Sequence, residues 1–385
     1  MSDKIKRVGN AVREENNARK LRKSLRLALI IGLIIIMALA GLKIAEKTSV
    51  ESLSSDNSQS GAYPVSFSTN DIKDVKAVGR NIVVLTKRFA TVLSKGGDIL
   101  SETPVSFGDS AVTVAGEQIL VFDRLSNKYL IIDEKGSVTE RKADESGKIY
   151  NAKLSEKGKT LLSLKSDSSA SLVSVTDKKG EDIFLWSCTQ EYIIDLALSK
   201  NEKVLYCAGI SASGGEIYTK VYAVNIKKGT EKSYTIPSEA VVSLNAVAGD
   251  RFNVVTTDGM YIFDSSKDEI LISSVKFNSD IICCAADEKG NTAVVTHSAG
   301  NLSEDTLTVY SGEGKIKYSL SLQDGIQDIC IEKDKVYLLY NDFIISAKNS
   351  KIADKLAFEN KAVGICKAEG QLYCYSLGGV EKVKG

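Results

Sequence analysis

The chain has 385 residues, with 50 lysines and arginines against 49 aspartates and glutamates and a net charge of +1. The single histidine, His297, is the residue that any histidine-based metal site or Ser-His-Asp triad would have to use. The basic residues concentrate in residues 1–26, which contain no aromatic side chain, and this composition does not favour nucleic-acid binding.

An uncharged apolar segment, residues 27–42, follows this basic tail and is bounded by Arg26 and Lys43. As a helix it would rise about 24 Å, somewhat less than the ~30 Å hydrocarbon layer of a bilayer. Arg26 and Lys43 can extend to the two interfaces and make up the difference. The segment therefore predicts one membrane-spanning helix that acts as a signal-anchor.

Charge asymmetry predicts the orientation of this helix. Residues 1–26 carry nine basic and three acidic side chains, so the tail has a charge of +6 and the rest of the chain −5. Basic residues beside a span stay on the cytoplasmic side. We expect a cytoplasmic tail and an extracytoplasmic domain at the cell membrane. A cleaved signal peptide is the alternative, because Ala38-Leu39-Ala40 has the form of a cleavage site.

The remaining chain divides into a tether and a domain. Residues 43–62 are rich in serine and lack an apolar period, which predicts a flexible tether. In residues 63–385, short runs of Val, Ile, Leu, Tyr and Thr alternate with Gly, Asp, Asn and Lys turns, which is typical of an all-β domain.

A repeat runs through the whole of this domain. Each unit has an apolar strand, a polar turn and a second apolar strand, followed by another hairpin. Its equivalent positions, spaced by about 41 residues, are Val75, Val112, Ala152, Leu196, Leu244, Cys284, Ile329 and Ile365. This spacing predicts a β-propeller of eight four-stranded blades, with seven as the alternative. The lone strand at residues 64–68 is expected to complete the C-terminal blade and so remove two sheet edges.

With these repeats the sequence resembles a degenerate WD40-type or quinoprotein-type propeller, although it lacks the Gly-His and Trp-Asp signatures. The layout is also similar to that of an uncharacterised bacterial family of single-pass membrane proteins with an extracytoplasmic propeller. The resemblance implies fold and location and supplies no functional residues.

Candidate chemistry is sparse. His297 follows a strand without an accompanying nucleophile motif, and we interpret it as a loop residue. The seven cysteines form no CxxC pair, and we expect buried free thiols, with disulfides between inner strands as the alternative. Trp186, beside Ile183-Phe184-Leu185, is expected in the core. The sequence thus predicts no catalytic residue, cofactor or metal site.

Two long connections, residues 208–216 and 297–305, are predicted loops between second and third strands. Extended loops on a rigid scaffold often carry recognition. The predicted interaction face consists of Ser211, Ser213, Gly214, Gly215, His297, Asn301 and Asp305.

The predicted function is a membrane-anchored scaffold that binds another protein or an envelope polymer. One alternative is a hydrolase or lyase acting on cell-wall glycans, and another is a sensor that signals through the membrane helix. An enzyme should place charged or aromatic residues repeatedly on the inner strands, where the sequence analysis finds apolar residues and cysteines. The oligomeric state stays open.

Overall fold

The computed structural model describes residues 62–383 apart from residues 69, 134–135, 144–146, 299–300 and 359–360. The predicted tail and membrane span, residues 1–26 and 27–42, and all but the end of the tether lie outside this range. Within the part of the chain that the structure describes, no helix has the length and apolar character needed to cross a bilayer. The described chain instead folds into eight antiparallel four-stranded sheets.

The strands follow one another as a series of blades. The first strand is Val65–Ser66 (β1). Blade 1 consists of Asp74–Val78 (β2), Asn81–Leu85 (β3), Phe89–Leu93 (β4) and Ile99–Pro104 (β5). Blade 2 consists of Ser110–Ala115 (β6), Gln118–Asp123 (β7), Lys128–Asp133 (β8) and Val138–Lys142 (β9). Blade 3 consists of Ile149–Leu154 (β10), Thr160–Leu164 (β11), Ser171–Thr176 (β12) and Asp182–Cys188 (β13). Blade 4 consists of Tyr192–Leu198 (β14), Val204–Ser213 (β15), Glu216–Asn225 (β16) and Glu231–Pro237 (β17).

The second half of the domain repeats the arrangement. Blade 5 consists of Val241–Ala246 (β18), Arg251–Thr256 (β19), Gly259–Asp264 (β20) and Leu271–Lys276 (β21). Blade 6 consists of Ile281–Ala286 (β22), Thr292–Ser298 (β23), Asn301–Tyr310 (β24) and Ile316–Gln323 (β25). Blade 7 consists of Asp328–Glu332 (β26), Lys335–Leu339 (β27), Phe343–Lys348 (β28) and Lys351–Ala357 (β29). Blade 8 consists of Gly364–Ala368 (β30), Gln371–Tyr375 (β31), Gly379–Lys382 (β32) and β1.

Blade 8 joins the two ends of the described chain. Strand β1 pairs with β32, with Val65 opposite Val380. The Tyr63 ring lies 5.2 Å from that of Tyr373 in blade 8, and its hydroxyl donates to the Ser94 carbonyl of blade 1 at 3.0 Å. This closure gives the last blade its fourth strand and protects sheet edges. It confirms the predicted N-terminal strand and the count of eight blades.

The core lies between neighbouring blades. In blades 1 to 7 the second and third strands are largely buried, and their apolar side chains pack on those of the next blade. One such cluster joins Leu161 and Val173 of blade 3 to Leu196 and Cys207 of blade 4. Burial of apolar area stabilises each of these contacts by about 25 cal/mol per Å². This packing requires two apolar strands in each of these blades, which is why apolar strands repeat along the sequence.

A polar position recurs near the start of the innermost strands, and the sequence analysis missed it. It is occupied by Asp74, Asn151, Asp195 and Asp328 in blades 1, 3, 4 and 7, and each side chain accepts the backbone N–H of the next residue at 2.8–2.9 Å. The expectation of only apolar residues and cysteines on the inner strands is therefore wrong. The pattern escaped notice because it skips blades with Ala111 or Cys283 at the equivalent position.

Two of these carboxylates connect adjacent blades. Asp195 in blade 4 accepts the N–H of Leu244 in blade 5 at 2.8 Å, and Asp328 in blade 7 accepts that of Ile365 in blade 8 at 2.9 Å. A carboxylate that accepts backbone donors on both sides of the interface satisfies groups that would otherwise be buried without partners. The position is therefore a structural clamp between blades.

The seven cysteines carry free thiols, four of them buried and three half-buried. Burial raises the pKa of Cys283 and of Cys366 to about 12, so both stay protonated and weakly reactive at neutral pH. Trp186 is half-buried and packs edge-on against the Tyr222 ring at 4.9 Å.

Candidate functional site

The blades define two faces of the propeller. At one face of the propeller each innermost strand begins and each second strand ends. We call this the upper face, and we call the opposite side the lower face. By strand register, the connections between second and third strands and those between blades lie on the upper face. The predicted interaction face therefore falls on the upper face, in blades 4 and 6.

The predicted loop at residues 208–216 is in fact a β-hairpin, which corrects that prediction. Strands β15 and β16 each have 10 residues and stay paired up to Ser213 and Glu216. Gly214 and Gly215 form the turn, with φ of +62° and +88°. Positive φ at both central residues is the requirement of the tight turn that matches strand twist. The Ser-Gly-Gly-Glu sequence was the available signal for a hairpin.

The tip of this hairpin, which we call the blade-4 hairpin (residues 208–221), projects into solvent. A side chain built on Gly214 or Gly215 would meet nothing within 4 Å. Ser211 pairs with Tyr218, and Ser213 pairs with Glu216. Ile217, beside the tip, is 51% exposed. The hairpin therefore presents backbone and an aliphatic side chain above the upper face.

The second predicted loop is also largely strand. His297 lies inside β23, opposite Asp305 of β24, so its interpretation as a loop residue is wrong. Its Nδ1 lies 3.2 Å from Asp305 Oδ1. The imidazole is half exposed while Asp305 is 1% exposed, so a buried carboxylate orients an accessible ring. Asn301 begins β24 and pairs with Ser298.

Four consecutive blades carry a β-bulge at the start of the innermost strand. In blades 3 to 6 the bulged residues are Tyr150, Ile194, Val242 and Ile282. All four are apolar or aromatic, and none is buried. Bulges redirect side chains and are common beside functional sites. We call this set the apolar arc.

The arc continues in neighbouring residues and ends at blade 7. The Tyr150 ring meets that of Tyr192 edge-on at 6.0 Å, and Tyr192 is 51% exposed. Blades 1, 2 and 7 place Lys73, Ser110 and Gln327 at the equivalent position, without a bulge. Blade 8 places Val363, which is 49% exposed, at the equivalent position, also without a bulge. The bulged apolar positions are thus confined to blades 3 to 6.

Buried carboxylates lie beneath this part of the face, and sequence analysis missed them. Glu191 and Glu239 stand four residues before Asp195 and Ser243, at equivalent places in blades 4 and 5. Glu191 is 2% and Glu239 1% exposed. Each accepts a hydrogen bond of 2.6 Å from a tyrosine on the third strand of its blade, Tyr222 and Tyr261 respectively.

Both carboxylates are ionised. Burial acts to raise the pKa of Glu191, but hydrogen bonds from Tyr222, Cys188 and Tyr218 and the charge of Lys220 outweigh it, so the pKa lies below its ordinary value. The pKa of Glu239 is lowered in the same way, against its own burial, by Lys276, Thr256 and Tyr261. Burial and the Glu191 carboxylate raise the pKa of Tyr222, which stays protonated as the donor.

Cavities accompany these groups. One of about 410 Å³ lies under the blade-4 hairpin and is lined by Glu191, Ser213, Lys220 and Thr235. Another of about 310 Å³ adjoins His297. A third, of about 620 Å³, opens at the turns between the first and second strands on the lower face, where Lys367 pairs with Glu332 at 2.8 Å. Among the described residues, no group of three or more His, Cys, Asp or Glu side chains could hold a metal ion.

The arrangement places the predicted residues in two sets rather than one. Ser211, Ser213 and the two glycines belong to blade 4, while His297, Asn301 and Asp305 belong to blade 6. Blade 5 lies between them and contributes Val242 and Glu239. The geometry is suited to binding across a broad surface.

These features define the class of protein as an eight-bladed β-propeller. The chain belongs to the family of unknown function DUF5711, whose sequence pattern matches residues 57–384. A search of curated protein sequences gives no match.

Solved structures share the architecture. BamB from Moraxella catarrhalis is 12% identical with a TM-score of 0.54, and the match covers 84% of this chain and 98% of that one. Sqt1 from Saccharomyces cerevisiae is 10% identical with a TM-score of 0.62, at 84% and 98% coverage. A streptogramin B lyase is 12% identical with a TM-score of 0.51, at 84% and 97% coverage. At such identities the likeness establishes the fold alone.

Proposed function

We propose that this protein is a binding propeller that captures a partner protein on its upper face at blades 3 to 6. The observation that carries the proposal is the apolar arc, formed by bulges in four successive blades beside a projecting hairpin. Exposed apolar surface rimmed by polar groups is typical of protein interaction sites, and tyrosine is enriched at them. Tyr150 and Tyr192 provide such aromatic contacts.

The location is part of the proposal. The uncharged segment 27–42 and the +6 charge of residues 1–26 support a single span with the propeller on the extracytoplasmic side. A partner would then be another protein of the cell envelope. The support for a catalytic role is a fold shared with a lyase at 12% identity. That likeness extends to the architecture and does not identify any catalytic residue.

Paired substitutions on the arc test the binding role. We expect Ile194→Asp with Val242→Asp to reduce crosslinking of the partner in intact cells by at least about tenfold, because charges at the centre of an interface are costly to bury. Both side chains are already exposed, at 38% and 44%, so folding should be preserved.

The matched control places the same charges elsewhere on the surface. Ile272 and Ile352 are 48% and 54% exposed on the outermost strands of blades 5 and 7. Their replacement by Asp should leave the partner adduct unchanged. Equal loss in both pairs would reject the upper face as the binding surface. An adduct digested by glycan hydrolases and resistant to protease would reject the protein partner in favour of an envelope polymer.

A further inference from the structure

The Glu191 carboxylate lies at the floor of the cavity beneath the blade-4 hairpin. Its Oε2 accepts hydrogen bonds from Tyr222 at 2.6 Å and from the Cys188 thiol at 3.1 Å, and its Oε1 accepts one from Tyr218 at 3.1 Å. All three donors are neutral, and the Lys220 ammonium group forms an ion pair with Oε1 at 3.9 Å without a hydrogen bond. A buried carboxylate paired in this way can still accept a charge-assisted hydrogen bond from a second cation.

Blade 5 contains the same arrangement with the cation in place. Glu239 accepts hydrogen bonds from Tyr261 and Thr256, and the Lys276 ammonium group binds its Oε1 directly. Lys276 is the last residue of β21 and lies opposite Gly259 in the register. The carboxylate and tyrosine pair of this propeller therefore accommodates a primary ammonium group.

Blade 4 differs at the residue that supplies this ammonium group. By strand register, the position of Lys276 is occupied by Thr235 and that of Gly259 by Lys220. Lys220 Nζ stays 3.9 Å from Glu191 Oε1, beyond hydrogen-bond distance, and sits 5.2 Å from the centre of the Tyr222 ring. The space above Glu191 is left as the open 410 Å³ cavity.

We propose that this cavity binds a primary ammonium group, supplied by a lysine side chain of the partner protein. The inference deepens the proposed binding role and rests on it. Lysine from the partner would take the place that Lys276 fills in blade 5 and donate to Glu191 Oε1. Charge-assisted hydrogen bonds are about twice as strong as neutral ones, so one lysine held by the buried Glu191 carboxylate would fix the register of the partner on the upper face.

The chain carries its own reporter for this pocket. Trp186 is the single tryptophan of the sequence. Its ring lies 4.9 Å from that of Tyr222, which donates to Glu191. A cation at Glu191 changes the electric field at the indole and hence its emission.

The experiment titrates the full-length chain, purified in a mild detergent, with Nα-acetyl-lysine methylamide and follows Trp186 fluorescence. The expected result is a saturable change with a dissociation constant on the order of 1 mM, a value suited to one charged group. The norleucine analogue, which has the same chain without the ammonium group, should give no saturable change. An equal response to both probes, or none from the lysine probe up to about 50 mM, would overturn the proposal.

Three variants locate the response. Glu191→Gln should weaken binding at least about tenfold, because it removes the charge and keeps the shape. Thr235→Lys should abolish the response with Glu191 intact, because it supplies an internal ammonium group at the register of Lys276. Glu156→Gln, at a solvent-exposed pair with Lys200, should bind the probe like the unmodified chain. Circular dichroism verifies that each variant folds. If Glu191→Gln does not fold, the response of Thr235→Lys alone tests whether the probe binds at Glu191.

The ammonium pocket and the partner-binding arc can be rejected independently of each other. If the probe fails to bind while Ile194→Asp with Val242→Asp still abolishes capture, the ammonium pocket is rejected and the binding face stands. If the probe binds and the arc variant has no effect on capture, the pocket stands as a ligand site and the partner surface is rejected.

Discussion

Removal of the Asp195 carboxylate tests the clamp between blades 4 and 5. In the folded chain Asp195 accepts the backbone N–H groups of Leu196 and Leu244 at 2.9 and 2.8 Å, and the Lys153 ammonium group at 2.6 Å. Asp195→Ala leaves two buried N–H groups without an acceptor, each worth about 1–3 kcal/mol. We expect the free energy of unfolding to fall by about 4 kcal/mol.

The expected shift in melting temperature follows from domain size. Unfolding entropy is about 2.1 cal/mol/K per residue, so for roughly 320 residues a loss of about 4 kcal/mol lowers the melting temperature by about 6 °C. Thermal unfolding followed by far-UV circular dichroism measures it. Glu156→Ala is the control, because Glu156 forms a solvent-exposed pair with Lys200 that is worth less than about 1 kcal/mol. Equal shifts for the two variants would refute the clamp.

Three further predictions concern the turn, the buried carboxylates and the closure. Gly215→Val should cost about 1–2 kcal/mol of stability because Gly215 has a φ of +88°, which side chains with a Cβ rarely adopt. Gly214→Asn should cost less, because asparagine tolerates positive φ. Melting temperatures equal to that of the unmodified chain would contradict this prediction. In the folded chain the pKa values of Glu191 and Glu239 lie below the ordinary 4.5. The two carboxylates therefore contribute their full stability above about pH 5. That stability is lost as the pH falls through 4.5 and then through the lower pKa values of the folded state. Thermal melts should therefore fall less steeply between about pH 5 and pH 3 in Glu239→Gln than in the unmodified chain, and parallel curves would count against ionised carboxylates. Deletion of residues 62–68 removes the partner of β32 and should produce oligomers by light scattering; a monodisperse product of unchanged stability would show that closure is dispensable.

The fold could be predicted because its cause repeats in the sequence. Blades 1 to 7 bury their second and third strands against their neighbours, so these repeats keep apolar strands at a spacing of about 41 residues. The N-terminal strand was recognisable because it had no hairpin partner of its own, and an unpaired strand beside an incomplete last repeat indicates closure.

The site could be predicted only in part, for reasons that lie in tertiary structure. Residues 208–216 contain the Gly-Gly turn of a hairpin, but residues 212–217 around the turn are exposed and so carry no apolar alternation. The bulges at Ile194 and Val242 are irregularities of the backbone without a sequence signature. The Glu191 and Tyr222 pair joins residues 31 positions apart, which no local period reveals.

Site-specific photocrosslinking in living cells tests most directly that the upper face at blades 3 to 6 binds a partner. A photoreactive residue replaces either Ile217 in the blade-4 hairpin or Ile352 on the outermost strand of blade 7, which are 51% and 54% exposed. We predict a discrete protein adduct from position 217 and at most a trace from position 352. Adducts of equal yield at the two positions, or an adduct from position 352 alone, would contradict the account.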